Sequence, residues 1–311
     1  MIITDAALVA LRTSFRKTFA DAYAQFRADS FYQRVAFTAP SGSRSNTYGW
    51  LGEFPGMREW IGDRVIKDLK EDKYEILNRL WEDTVSVRRT DMEDDNLGMY
   101  TGMVQGLAEA AGRHPDELIA ELMTNGTLQT CYDGQYFFDT DHPVYPNHDG
   151  TGVAATVSNF NDGTGPGGTD VPGPTWYLLD TRRTFKPFIF QERSPAEFDA
   201  LTDAKDNDQV FMKDLFLYGA RARHAAGYGF WQMAYASRAP LTAANFEDAR
   251  LAMRTVTADG GRPLGIKPSI IVVPPSLQSD ANRLFKTMVD ANGASNPHYQ
   301  AVEVLDPDWL A

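Results

Sequence analysis

Residues 91–126 read DMEDDNLGMYTGMVQGLAEAAGRHPDELIAELMTNG, and the architecture is decided in this stretch. Asp91, Glu93, Asp94 and Asp95 gather where the positive end of a helix dipole would stand. Leu97, Tyr100, Val104, Leu107 and Ala111 then recur at three and four, the spacing of one helix face, so a long amphipathic helix is predicted. Gly98, Gly102 and Gly106 fall every fourth residue along it. Each costs roughly 1 kcal/mol against Ala, so another backbone is expected to approach closely there. Pro115 is read as opening a second, short helix, with Asp116 and Glu117 in its first turn and Asn125-Gly126 as its stop.

Upstream, MREWIGDRVI (57–66) and ILNRLWEDTVSVRR (76–89) are two strand-like runs joined by the charged KDLKEDKYE, which predicts a long β-hairpin with a solvated tip. A two-stranded ribbon of this length is marginal in water, so it is expected to lie against something else, such as a neighbouring subunit. Lys67, Lys70 and Lys73 interleave with acidic residues at the tip and suit either a solvated turn or intersubunit ion pairs. Residues 31–55 carry Ser, Gly, Pro and Asn without either period and read as an extended arm. Before them, Leu8, Leu11, Phe15, Phe19, Ala22 and Phe26 mark one helix face from Thr4, the expected N-cap, to about Asp29.

Downstream, residues 127–175 are loop-like. WYLLD, KPFIFQE, QVFMKDLFLYGARAR and GYGFWQMAYAS then read as strands of one mixed or antiparallel sheet. Thr242 is expected to cap a helix running to about Val256, with Leu241 and Phe246 as a hydrophobic staple and Asp259-Gly260-Gly261 as its end. IKPSIIVVPP reads as a buried strand, and Ser276 as the cap of a helix bearing Leu277, Ala281, Leu284 and Met288. The chain is therefore α+β with a compact C-terminal lobe.

Composition excludes several classes. At 311 residues, 43% apolar and 23% charged, the chain is an ordinary globular protein with ample core. No uncharged apolar run approaches the roughly 20 residues of a membrane span, so no membrane partner is expected. The single cysteine, Cys131, excludes an internal disulfide framework. A net charge of −12 disfavours gripping nucleic acid over the surface. Chemistry is suggested in one place only, CYDGQYFFDTDHPVYPNHDGTG, which crowds Cys131, Asp133, Asp139, Asp141, His142, His148 and Asp149 together. It lacks any established metal-ligand spacing, and Pro143 and Pro146 point to rigid turns. GTGPGG at 163–168 lacks the rest of a phosphate-binding motif, and no Gly-x-Ser-x-Gly elbow accompanies the histidines. No catalytic residue, cofactor or metal is expected.

RSNTYGWLGEFPGMREWIGDR, MEDDNLGMY, CYDGQYFFDTDHPVYPN, KPFIFQER and GYGFWQMA resemble, in order and nearly end to end, the major head subunits of Mu-like phages. The resemblance implies an HK97-like major capsid fold: an N-terminal arm (1–55), an E-loop β-hairpin (56–90), a P domain with a long spine helix and inserted loops (91–240), and an A-domain-like lobe (241–311). It implies a non-enzymatic subunit that self-assembles as hexamers and pentamers into an icosahedral virion capsid in the bacterial host cytoplasm. Such a shell encloses double-stranded DNA without sequence-specific binding. A separate scaffolding protein, a portal and a decoration protein are the implied partners. Phe54, Trp60, Ile61, Val65, Ile66, Lys67, Lys70, Lys73 and Trp81 are the expected intersubunit contacts, because aromatic and aliphatic anchors dominate interfaces; for Trp60 and Trp81 the alternative is packing within the chain. Two further readings stand beside this one: an encapsulin-like compartment shell of the same fold, and a metal-dependent enzyme using the Asp139, Asp141 and His142 loop.

Overall fold

A computed structural model describes residues 5–51, 74–94, 98–148, 150–163, 172–203, 208–289 and 293–310. The helices are α1 Asp5–Ala28, α2 Tyr32–Val35, α3 Arg89–Glu93, α4 Gly98–Thr124, α5 Asp208–Lys213, α6 Ala243–Thr255 and α7 Gln278–Phe285. The strands are β1 Ala36–Pro40, β2 Ser45–Thr47, β3 Glu75–Leu77, β4 Arg79–Arg88, β5 His142–Val144, β6 Ala155–Val157, β7 Phe160–Asn161, β8 Trp176–Leu179, β9 Phe188–Leu201, β10 Leu215–Tyr228, β11 Ala234–Ser237, β12 Ile270–Val272 and β13 Glu303–Leu305.

The strands form two main sheets, not the single sheet expected. One has the order β1-β9-β10-β4 and the other β13-β12-β8-β11-β7, while β2–β3 and β5–β6 pair separately. The physical reason is a break in the chain after β10: Trp231–Met233 make a 3-10 turn, so GYGFWQMAYAS ends one sheet and starts another. QVFMK, expected as strand, is the helix α5; Asp214 with φ 52 separates it from β10.

The apolar interior divides into two cores. Phe15 and Phe19 of α1, Val104, Leu107 and Ala108 of α4, and Phe198, Phe216 and Tyr218 of β9 and β10 build the smaller one. Phe15 meets Tyr218 edge-on at 5.4 Å, the preferred geometry of an aromatic pair. The larger core surrounds β8, whose Trp-Tyr-Leu-Leu is buried on both faces as a central strand requires. Each 14 residues long, β9 and β10 run through both: Phe188 and Phe190 lie in the larger core, Phe198 in the smaller.

The helix pattern around residue 98 emerges with two corrections. Pro115 lies inside one continuous helix, Gly98–Thr124, instead of opening a second. Packing on both sides of the proline outweighs its cost: the Ser30 hydroxyl donates to the Gly112 carbonyl (3.3 Å), and Asp116 accepts the Tyr32 N–H (2.9 Å). The close backbone approach occurs at Gly112, where a Cβ would stand 3.0 Å from Phe26 Cβ and 3.5 Å from the Tyr23 carbonyl; at Gly102 and Gly106 it would meet nothing within 4 Å.

Residues expected as an extended arm instead enter the fold. β1 pairs parallel with β9, and Tyr32, Val35, Ala36 and Tyr48 join the larger core. The second limb of the expected hairpin divides: β3 pairs with β2, and β4 pairs along β10 from Leu215↔Arg88 to His224↔Arg79. Gln191, fully buried in β9, ties these pieces together. It accepts the Tyr48 hydroxyl (2.8 Å) and donates to the Ile76 carbonyl (3.1 Å) and to Asn78 (2.8 Å).

In the second lobe, Thr242 caps α6 through the Asn245 N–H (3.2 Å), with Phe246 buried and Leu241 against the same cluster. Ser276 does not cap α7; a 3-10 turn over Pro275–Leu277 precedes it, and Met288 is exposed beyond its end. The lobe's sheet also draws β7, β8 and β11 from before residue 241.

Candidate functional site

The predicted contact residues Phe54, Trp60, Ile61, Val65, Ile66, Lys67, Lys70 and Lys73 lie outside the described residues. The segment that carries them springs from a fixed root, because Tyr48 N–H donates to the Tyr74 carbonyl (2.9 Å) and β2 and β3 continue the ladder. Trp81 is described. Its Nε1 donates to the His224 carbonyl (3.0 Å) and its ring lies 4.3 Å from His114, so much of it packs within the chain. Beyond Trp81, β4 is ten residues long, and among the described residues no strand pairs its outer edge. A long unpaired edge is a template for another strand or partner.

Trp81 covers a histidine pair that the sequence does not reveal, since its members are 110 positions apart. His114 Nδ1 and His224 Nε2 share one hydrogen bond at 2.8 Å between α4 and β10. Burial pushes His224 down to about 3, with His114 and then Arg27 adding repulsion, and burial lowers His114 as well. The pair is therefore neutral at pH 7. A cavity of about 200 Å³ opens beside it, lined by Trp81, Ala111, Glu117, Ala196 and Ala222.

Of the seven candidate Cys, Asp and His residues in the 131–149 segment, the fold brings three together. A tight loop bridged at Thr130↔Tyr136 and turned by Gly134 at φ +87 carries Cys131 and Asp133; His142 opens β5. Asp133 accepts from Cys131 Sγ (3.0 Å), the Gln135 N–H (3.1 Å) and His142 Nδ1 (2.8 Å). The His142 ring is fully buried and stacks on Trp231 at 3.9 Å and 7°. Burial, with Asp133 adding to it, pushes the Cys131 thiol far up. Burial also pushes Asp133 up, but the hydrogen bonds from His142 and Cys131 together outweigh it and leave the carboxyl lowered.

The other four residues do not join them. Asp139 closes a turn by accepting the Tyr136 and Thr140 N–H groups (3.2 and 2.7 Å). Asp141 is exposed, and a hydrogen bond with Asp139 raises its carboxyl. His148 lies over Gly260, and Asp149 falls outside the described residues. The Asp139, Asp141 and His142 constellation of the enzyme reading does not close on one point: Asp141 hydrogen-bonds Asp139 at the surface, while the His142 ring is buried and turns to Asp133. Among the described residues no helix is long and apolar enough to cross a membrane.

The family profile of the Mu-like prophage major head subunit gpT matches residues 8–310. The chain is similar to the major capsid protein of Escherichia phage Mu, at 45% identity over 313 residues, covering 100% of each chain. Among solved structures it is similar to the subunit of the bacteriophage JBD30 procapsid, with TM-score 0.86, 53% identity, and 99% of this chain and 100% of that one covered. It is also similar to the subunit of the JBD30 capsid decorated with minor capsid protein trimers, with TM-score 0.74, 38% identity and 100% of both covered.

Proposed function

The chain belongs to the family of Mu-like prophage major head subunits, and from that premise we propose that its copies close as hexamers and pentamers into an icosahedral shell around double-stranded DNA. It is a major capsid protein of a Mu-like phage, a structural component of the virion shell and not an enzyme. Its mixed helix-and-sheet fold is that of the phage capsid subunits, consistent with the HK97-like class. The single observation that carries the reading is the end-to-end likeness to a procapsid subunit.

In this reading α4 is the spine helix, and the lobe of β1, β9, β10 and β4 with α1 is the P domain. The lobe around β8 is the A domain, and residues 52–73 on their β2–β3 root are the E-loop. Phe54, Trp60, Ile61, Val65 and Ile66 contact a neighbouring subunit, Lys67, Lys70 and Lys73 form ion pairs at the tip, and Trp81 braces the root. The outer edge of β4, which no strand pairs among the described residues, supports this placement, because assembly would cover it. A separate scaffolding protein guides assembly in the host cytoplasm, a portal occupies one vertex, and a minor capsid protein decorates the shell, as minor capsid protein trimers decorate the JBD30 capsid. The acidic balance of −12 suits a container that encloses DNA without gripping it.

Electron microscopy of the purified chain, alone and with the scaffolding protein of its phage, tests the reading. Closed isometric particles are expected, and particles from induced cells are expected to protect double-stranded DNA from nuclease. A chain that stays monomeric with its scaffold overturns the assembly proposal. Particles filled with protein cargo in place of DNA overturn the container role in favour of a compartment shell.

A further inference from the structure

We propose that Cys131, Asp133 and His142 form a structural binding site for a soft divalent cation of the zinc type, a clamp that fastens the 131–136 loop to β5. The three side chains offer a thiol sulfur, a carboxylate oxygen and an imidazole nitrogen that all lie within 4.8 Å of one another. Sulfur and nitrogen ligands with one carboxylate are the donor set that zinc and cobalt favour over hard cations. The existing separations are 3.0 Å from sulfur to Asp133 Oδ1 and 2.8 Å from His142 Nδ1 to Oδ2. Tetrahedral coordination with bonds of about 2.0–2.3 Å sets ligand atoms roughly 3.3–3.6 Å apart, so a small withdrawal of the carboxylate admits the ion.

The charges and protons of the exchange balance. The thiolate and the carboxylate together carry the two negative charges that a divalent cation neutralises, and His142 enters as the neutral ring. Binding breaks the Cys131 S–H bond and releases that proton to solvent. The imidazole proton leaves Nδ1 for Nε2, a buried atom with no hydrogen-bond partner among the described residues, so one proton is released per ion. Trp231 already holds the ring in its plane, and the Gln135 N–H keeps the carboxylate oriented, so little ordering entropy is spent on binding. Reading the sequence for ligand spacing misses the site because two ligands come from one tight loop and the third from a strand nine residues beyond Asp133.

The proposal is independent of the shell reading, because binding is read on the subunit whatever it assembles into. The full chain, reduced and stripped with chelator, is titrated with Co²⁺. The expected result is a 1:1 complex with a thiolate-to-cobalt charge-transfer band, one proton released per ion, and displacement by Zn²⁺. The band is lost in Cys131→Ser, and binding is weakened in His142→Gln. Absence of the band in the wild-type chain overturns the proposal, and so does binding that persists unchanged in Cys131→Ser. Should the variants fail to fold, X-ray absorption of the zinc-loaded wild-type chain decides: one sulfur neighbour supports the site, and a shell of only oxygen and nitrogen overturns it.

Discussion

Single residues fix how the helices meet the sheets. Gly112 lets α1 lie directly on α4, with Phe26 Cβ 3.0 Å from where its own Cβ would be. Gly112→Val forces the two helices apart and is expected to cost about 1–3 kcal/mol, read by chemical denaturation. The His114–His224 pair gives the neighbouring contact of α4 with β10 a pH dependence. His224 sits at about 3 in the fold against an ordinary 6.5, so the unfolded chain takes the proton first. Its contribution is complete above about pH 6.5 and drains away as pH falls toward 3. Asp116, raised to about 6 chiefly by burial, works in the opposite sense, contributing most at low pH and losing that contribution as pH rises through 6. The histidine effect is therefore read as a difference: melting temperatures of wild type and His224→Gln are expected to converge as pH is lowered from about 7 to about 4. Parallel curves would show that the pair does not titrate with folding.

At the scale of elements, local signals and tertiary contacts divide the credit. The period of three and four places α1 almost to the residue and the part of α4 before Pro115, and Thr242 starts α6 as its hydroxyl predicts. Thr242→Ala is expected to remove about 1 kcal/mol of stability, measurable as a lowered denaturation midpoint without a change in slope. β4, β8, β9, β10, β11 and β12 are legible as strands but not as partners, whereas β1 and β2 in the expected arm, β5, β6 and β7 in the expected loop, and β13 are not legible as strands. β4 carries Val85 and Val87 in the alternation of a half-buried strand, yet its partner β10 lies more than a hundred residues away, and alternation says nothing about which edge a strand joins. Pro115 misleads for a related reason: a proline inside a helix costs about 3 kcal/mol, and the contacts of Gly112 and Asp116 with Ser30 and Tyr32 that accompany the continuous helix come from residues more than eighty positions away.

For the whole molecule, the proposal that residues 52–73 carry contacts between subunits has a direct test. Deletion of residues 68–73 is expected to leave a subunit with wild-type circular dichroism and melting temperature that assembles poorly, compared by sedimentation and electron microscopy. Particles formed in normal yield would remove the tip from the interface. The sequence by itself determined what local physics controls: the two long amphipathic helices, the buried β8 and β12 segments, the acidic surface, and a succession of aromatic blocks long enough to identify the family. Only the tertiary structure decided that the strands divide between two sheets and that β9 and β10, within one of them, run through both cores. It also decided that Gly112 is the point of helix contact, that His114 finds His224, and that Cys131, Asp133 and His142 converge while Asp139 and Asp141 do not. The reason is that periodicity and capping are energies between near neighbours along the chain, whereas strand partnership and side-chain convergence are energies between distant segments that acquire values only once the chain has closed on itself.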